Sequence, residues 1–193
     1  NAALPRTRFY CAGFNRVAAE LGVEPVPSLP ALVLGDLAMV TEVPEILGVP
    51  AAAMAACHPG GRRGYRPGTR LRYTGPLYAR LDVPLPDAVS EFLDRPGPVV
   101  YAAITSTSPR IIRSVVGALA ALDVRVLVAA TVHDLADLSD ERVMVAGILP
   151  SHRVMPRVDL AITAGGQGSV QTAMAAGTPV LGIPLPPEQA LNV

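Results

Sequence analysis

The spacing of apolar positions changes character near residue 87 of this chain. From there to the end, short apolar runs alternate with helical stripes. Residues 99–104 (VVYAAI) are a run bounded by Pro98 and by Thr105-Ser106, the pattern of a fully buried strand. Ile111, Ile112, Val115, Val116, Leu119 and Leu122 then recur at helical spacing, with Ser108 placed to cap that helix and Pro109 at its first position. The same reading predicts a second strand over 124–130, a helical turn over 135–138, a third strand over 142–148 and a short helix over 151–155. Val158, Leu160 and Ile162 mark a fourth strand. Val170, Ala173, Met174 and Gly177 form a stripe of a helix starting at Ser169, and Val180, Leu181 and Ile183 form a fifth strand. A short helix over 88–93, with Asp87 near its start, precedes the series. Strands alternating with helices across short loops imply right-handed crossovers and a parallel sheet. The expected class is α/β with a Rossmann-like parallel sheet.

The first 86 residues are less regular. A helix is expected over 5–21, with Phe9, Ala12, Gly13, Val17 and Leu21 near one face and Gly22 as its stop. Residues 32–41 fit a strand or a helix–strand step turning at Gly35-Asp36. Residues 43–86 are rich in proline, glycine and arginine, the composition of a loop or linker. One strand-like piece, 70–73, interrupts them.

Composition narrows the chemistry. Of 193 residues half are hydrophobic and the net charge is zero, so an apolar core is affordable and a nucleic-acid footprint is not indicated. All 16 basic residues are arginines, which excludes a lysine Schiff base and a phosphate loop of the G-K-[ST] kind. Cys11 and Cys57 have no metal-ligand spacing and are read as small apolar groups. His58, His133 and His152 make no metal site, and no run is long and uncharged enough to span a bilayer. The chain opens inside a helical pattern without Met and stops where another helix should start, so an internal fragment of a longer protein is expected.

The most informative stretch follows the fourth strand. Gly165, Gly166 and Gly168 permit a tight turn and close approach to the backbone. Leading into a helix, such a turn offers free N–H groups and a positive dipole end, which suits a phosphate. On the glycines alone, that reading and an ordinary strand-to-helix turn are equally supported. In a parallel sheet, ligands gather at the carboxyl ends of the strands. Four sets of candidate residues fall there: Thr105-Ser106 after the first strand, 148–151 after the third, 164–169 after the fourth and 185–189 after the fifth.

Taken together, T-x-G-G-x-G-S, A-x-x-A-G-T-P-V-L-G-I-P and P-E-Q-x-x-N, in that order over 163–192, resemble the donor-sugar signature of GT-B nucleotide-sugar glycosyltransferases. The similarity is to the family 1 branch, which includes bacterial enzymes acting on macrolides and other lipophilic products. Tyr73-Thr74-Gly75-Pro76 resembles the segment that closes the N-terminal domain of those enzymes. The resemblance implies that 1–78 are the tail of an acceptor-binding domain plus linker, and 79–193 a truncated donor-binding domain. It implies that Thr105, Ser106, Ala164, Gly165, Gly166, Gly168 and Ser169 hold the donor diphosphate. Ile148, Leu149 and Thr172 would meet the nucleobase and ribose, and Glu188 and Gln189 the sugar hydroxyls. Asn192 completes the block. The family usually has His where Ala164 stands and often Glu where Thr172 stands, so weaker donor binding or a donor with a different ribose is expected.

The activity so implied is inverting, metal-independent transfer of a sugar from UDP or dTDP to a hydroxyl of a lipophilic small molecule, with no separate cofactor, in the cytoplasm and without stable membrane insertion. The family's general base, a His, would lie upstream of Asn1, so no catalytic residue is assigned. The alternative is a catalytically degenerate GT-B-like binding or partner protein.

Overall fold

A computed structural model describes residues 9–42, 48, 50, 52–53, 68–77, 80–105 and 107–193. Ser106, Cys57 and His58 lie outside them. The chain divides into two compact units, Asn1–Leu77 and Tyr78–Val193.

In the first unit a 3-10 turn, Phe9–Cys11, leads into helix α1, Ala12–Glu20, and Gly22 follows in the left-handed region with φ 65°. The inward residues of α1 are not those its apolar spacing suggests. Ala12, Gly13, Val17 and Leu21 are exposed, whereas Cys11 and Ala18 are buried with Asn15 between them. Asn15 decides the orientation. Its Nδ2 donates to the Val26 carbonyl at 3.0 Å and its Oδ1 accepts from the Val26 N–H at 2.6 Å, so a polar residue docks the helix on the following segment. Next come α2 (Leu29–Val33), β1 (Leu37–Val40) and β2 (Arg70–Tyr73). The expected helix–strand step at 32–41 is therefore observed, and the two strands pair in parallel, Leu37 opposite Arg70 through Val40 opposite Tyr73.

The second unit is the α/β layer predicted from periodicity. In order it contains α3 (Asp87–Asp94), β3 (Val99–Ala103), α4 (Pro109–Leu119), β4 (Arg125–Ala129) and β5 (Val143–Ala146). It continues with α5 (Ser151–Val154), β6 (Leu160–Thr163), α6 (Gln167–Ala176) and β7 (Val180–Gly182). The five strands are parallel in the order β5-β4-β3-β6-β7. Residues alternate between two faces. Tyr101, Leu127 and Ala161 pack with Phe92 of α3 and Ala173 of α6 on one face. Val100, Val126 and Ile162 pack with Ile112 and Val116 of α4 on the other. Burial on both faces is why the strands read as continuous apolar runs.

Two polar devices fasten this layer. Arg125 is buried and directs its guanidinium to the carbonyls of Phe92, Arg95 and Gly97, closing the carboxyl end of α3 and the turn after it. Burial pushes its pKa below the ordinary arginine value, with the Arg95 charge as a lesser cause. Arg157 reaches Ser90 Oγ at 3.0 Å, the Ser90 carbonyl at 3.1 Å and Asp94 Oδ1 at 2.7 Å, fixing the turn before β6 to α3.

Candidate functional site

The strand order reverses at one place. The chain runs from β3 outward through β4 and β5, then crosses to β6 on the other side of β3. The crevice of such a sheet opens at the carboxyl ends of the two strands flanking that switch, here β3 and β6. Ile104 and Thr105 follow the first, and Ala164, Gly165 and Gly166 follow the second.

The turn after β6 is built around Gly165. Its φ of 79° is left-handed, and a Cβ there would stand 2.7 Å from the Gln189 carbonyl oxygen. Only glycine admits both the dihedral and the contact. The buried Gly165 N–H donates to Thr163 Oγ1 at 2.9 Å, and its carbonyl accepts from Asn192 Nδ2 at 2.9 Å. The turn is thus clamped by its own strand and by the loop after β7. Gly165 has no amide to spare for a ligand, contrary to its expected role as a phosphate donor.

Helix α6 begins at Gln167 with Gly166 as its N-cap, two residues before the expected start at Ser169. Gly168 and Ser169 therefore sit in its first turn, where amide groups have no carbonyl partner within the helix. Gly177, with φ 71°, ends the helix as expected, and its N–H bonds back to the Met174 carbonyl. Of the expected stripe, Val170 and Ala173 are buried but Met174 is 53% exposed, and Gln171 and Thr172 are buried beside the first two. A helix of small side chains packs closely over a wide arc, and spacing of its larger residues does not locate that arc.

A cavity of about 270 Å³ opens against this first turn. Leu81, Leu149, Ser151, His152, Gly168, Ser169 and Thr172 line it. Four expected site residues, Leu149, Gly168, Ser169 and Thr172, thus come together. Leu149 is also buried in the apolar cluster around Tyr101. The Thr172 hydroxyl donates to the Gly168 carbonyl at 2.7 Å, so its proton is used within α6.

Ser151, from the 148–151 set expected at the strand ends, and His152, to which the sequence gave no site role, stand in the same cavity wall. Their signal was position: they open α5, directly after the loop that carries Leu149. The Ser151 hydroxyl lies 3.1 Å from the Tyr101 hydroxyl. Tyr101 is 1% exposed, and burial raises its pKa above the ordinary phenol value, an effect that the Ser151 hydrogen bond partly offsets.

The other expected residues stand apart from this cavity. Thr105 is half-buried after β3, and the loop it belongs to is pinned by Thr107, whose hydroxyl donates to the Ile104 carbonyl at 2.9 Å. His133 Nε2 meets the Thr107 carbonyl at 2.8 Å. Ile148 is 69% exposed and presents an apolar face to solvent. Ala164 is buried in the cluster that contains Ile104 and Ile112, with Ile183 packed against it. Its methyl thus belongs to the core on the α4 face. Glu188 is exposed at the start of a 3-10 turn, Gln189–Leu191. Gln189 Oε1 accepts the Leu185 N–H at 3.1 Å, which ties that side chain across its own loop.

Among the described residues no group of three or more His, Cys, Asp or Glu side chains could hold a metal ion, and no helix is long and apolar enough to cross a membrane.

No family model matches the chain. Curated relatives and solved structures do. A glycosyltransferase of PGL/p-HBAD biosynthesis from Mycobacterium tuberculosis is 30% identical over 160 residues, 82% of this chain and 34% of the relative. The 4'-demethylrebeccamycin synthase of Lentzea aerocolonigenes is 34% identical over 117 residues, 58% of this chain and 27% of the relative. Among solved structures, the glycotransferase of kitacinnamycin superposes with a TM-score of 0.63 at 21% identity, over 97% of this chain and 46% of that one. The chain thus spans about a third or less of the length of these curated relatives.

Proposed function

From a chain that has the fold of the GT-B glycosyltransferases and sequence similarity to curated glycosyltransferases, we propose that its second unit is the donor-binding part of an enzyme that transfers a sugar from a nucleoside diphosphate, UDP or dTDP, to a hydroxyl of a lipophilic small molecule. The observation that carries this reading is the cavity against the first turn of α6, lined by Gly168, Ser169 and Thr172. The diphosphate would lie on the first-turn amides of Gly168 and Ser169, with the Ser169 hydroxyl beside them. Glu188 and Gln189, on the loop that Asn192 ties to Gly165, would face the sugar. Leu149 and the exposed Ile148 would give the base an apolar wall.

The chemistry follows from the charge that develops. Displacement at the anomeric carbon by an acceptor oxygen, with inversion, breaks the bond to the β-phosphate oxygen and leaves that charge on the diphosphate. Backbone donors and the positive end of α6 meet it in place and need no reorganisation as the bond breaks. No step in this scheme is routed through a metal. The group that deprotonates the acceptor hydroxyl is assigned to no residue of this chain.

A second reading, a degenerate relative that binds partners instead of a donor, draws on the Ala164 methyl in the core, where the family's histidine would stand. Calorimetric titration with UDP and dTDP separates the two. Saturable binding of either nucleotide is expected. A folded chain that binds neither would overturn the donor-site reading in favour of the second.

A further inference from the structure

We infer that Tyr101 is a positioning residue, whose hydroxyl turns the Ser151 hydroxyl so that Ser151 donates its proton to an acceptor oxygen of the nucleotide in the cavity; this rests on the donor-site reading. The Tyr101 side chain is buried among Phe92, Leu127, Leu149 and Met155, an apolar setting in which a phenolic O–H must find an acceptor. Among the described residues its one hydrogen-bond partner is Ser151 Oγ at 3.1 Å. A serine hydroxyl accepts and donates through the same oxygen. With Tyr101 donating, Ser151 accepts from below and keeps its own proton for the cavity side, where Gly168, Ser169 and Thr172 stand. The opposite polarity would leave the buried phenolic proton with no acceptor.

The neighbouring groups make this hydroxyl matter. The Thr172 hydroxyl gives its proton to the Gly168 carbonyl, and the Gly165 N–H goes to Thr163. Among the cavity's hydroxyl groups, those of Ser151 and Ser169 are left to donate. One is fixed by Tyr101, and the other sits at the third position of α6. A fixed donor loses less freedom on binding than a rotating one, so the hydrogen bond beneath Ser151 is expected to appear as affinity.

The test is a double-mutant cycle on the full chain with Tyr101→Phe and Ser151→Ala, read by UDP and dTDP titration and by thermal unfolding. Ser151→Ala is expected to weaken nucleotide binding by about three- to ten-fold, the range of one net hydrogen bond. Tyr101→Phe should weaken it by a similar or smaller factor when Ser151 is present and not at all in the Ser151→Ala background, with Ser151→Thr restoring binding. An equal loss in both backgrounds would show that Tyr101 acts through packing. No loss from either single change would remove Ser151 from the site. Both results overturn the inference and leave the donor-site reading standing. If the parent chain binds neither nucleotide, that reading falls and the ligand half of the inference with it. Unfolding then tests whether the two hydroxyls depend on each other. A coupled pair predicts that Ser151→Ala lowers the unfolding temperature and that adding Tyr101→Phe restores part of it, whereas additive losses overturn the bond on which the inference stands.

Discussion

Gly165 shows how one residue can carry a turn. Its dihedral alone would cost an alanine roughly 1–2 kcal/mol. The Gln189 carbonyl, 2.7 Å from where a Cβ would be, adds a backbone clash that a side-chain rotation cannot relieve. Gly177 is the internal control. Its φ is similarly positive, at 71°, but a Cβ there would meet nothing within 4 Å. Gly177→Ala is therefore expected to cost only the dihedral term, and Gly165→Ala clearly more. Thermal unfolding of both variants checks this, and equal losses would mean that the loop after β7 yields to the new methyl. Thr163 belongs to the same turn. Thr163→Val keeps the shape but removes the acceptor of the buried Gly165 N–H, and a stranded buried amide costs about 1–3 kcal/mol. A Thr163→Ser variant, which retains the oxygen, should recover the hydrogen-bond part of that loss. The glycines were legible in the sequence because only a few backbone needs select that residue. A turn was legible there, but which of the three glycines is locked into it and which lines the cavity was not. It depends on the hydrogen bonds that Gly165 donates to Thr163 and accepts from Asn192, which spacing does not encode.

At the scale of elements, the five strands and the helices between them were readable because burial on both faces leaves unbroken apolar runs, and breaks in those runs mark the loops. The start of α6 and its inward face were misread for one physical reason. Small side chains make a helix nearly uniform around its axis, so neither end nor face stands out. Helix α1 was misread for another reason. Its docking residue is Asn15, and an apolar template counts an asparagine as outward although both ends of its amide bond Val26. Arg125 is a third case, a charged residue in a strand that otherwise reads as core. It satisfies carbonyls at the end of α3, which has no basic residue in its own last turn. Arg125→Met preserves volume and removes the donors. It is expected to destabilise the chain by about 1–3 kcal/mol, as buried carbonyls lose their partner. Denaturant unfolding measures this. An unchanged midpoint would mean that water replaces the guanidinium without cost.

For the molecule as a whole, the same buried groups set how it responds to pH and to ligand. The Tyr101 phenol has its pKa raised in the folded state by burial. Its stabilising contribution is complete below the ordinary phenol pKa of about 10 and is lost as pH rises through the folded value. Unfolding temperature should therefore fall more steeply above about pH 10 in the parent chain than in Tyr101→Phe. Parallel slopes would place the alkaline transition on other groups. On the donor-site reading, nucleotide binding offers a sharper test. The resemblance puts Thr172 where many relatives carry a glutamate for the ribose hydroxyls. The Thr172 proton is already committed to the Gly168 carbonyl, so the residue offers a ribose only an acceptor lone pair. A site with few partners for a 2′-hydroxyl gains little from its presence and pays for its desolvation. Removing that hydroxyl is therefore expected to cost little affinity, with any preference for UDP over dUDP staying below about three-fold, the low end of one net hydrogen bond. Competition between the two for the full chain measures the ratio directly. A ten-fold preference for UDP would mean that another group recognises the ribose and would remove Thr172 as the reason for tolerating a deoxyribose donor. A ratio near one or below would show that this wall does not select for the 2′-hydroxyl and so tolerates a deoxyribose nucleotide such as dTDP.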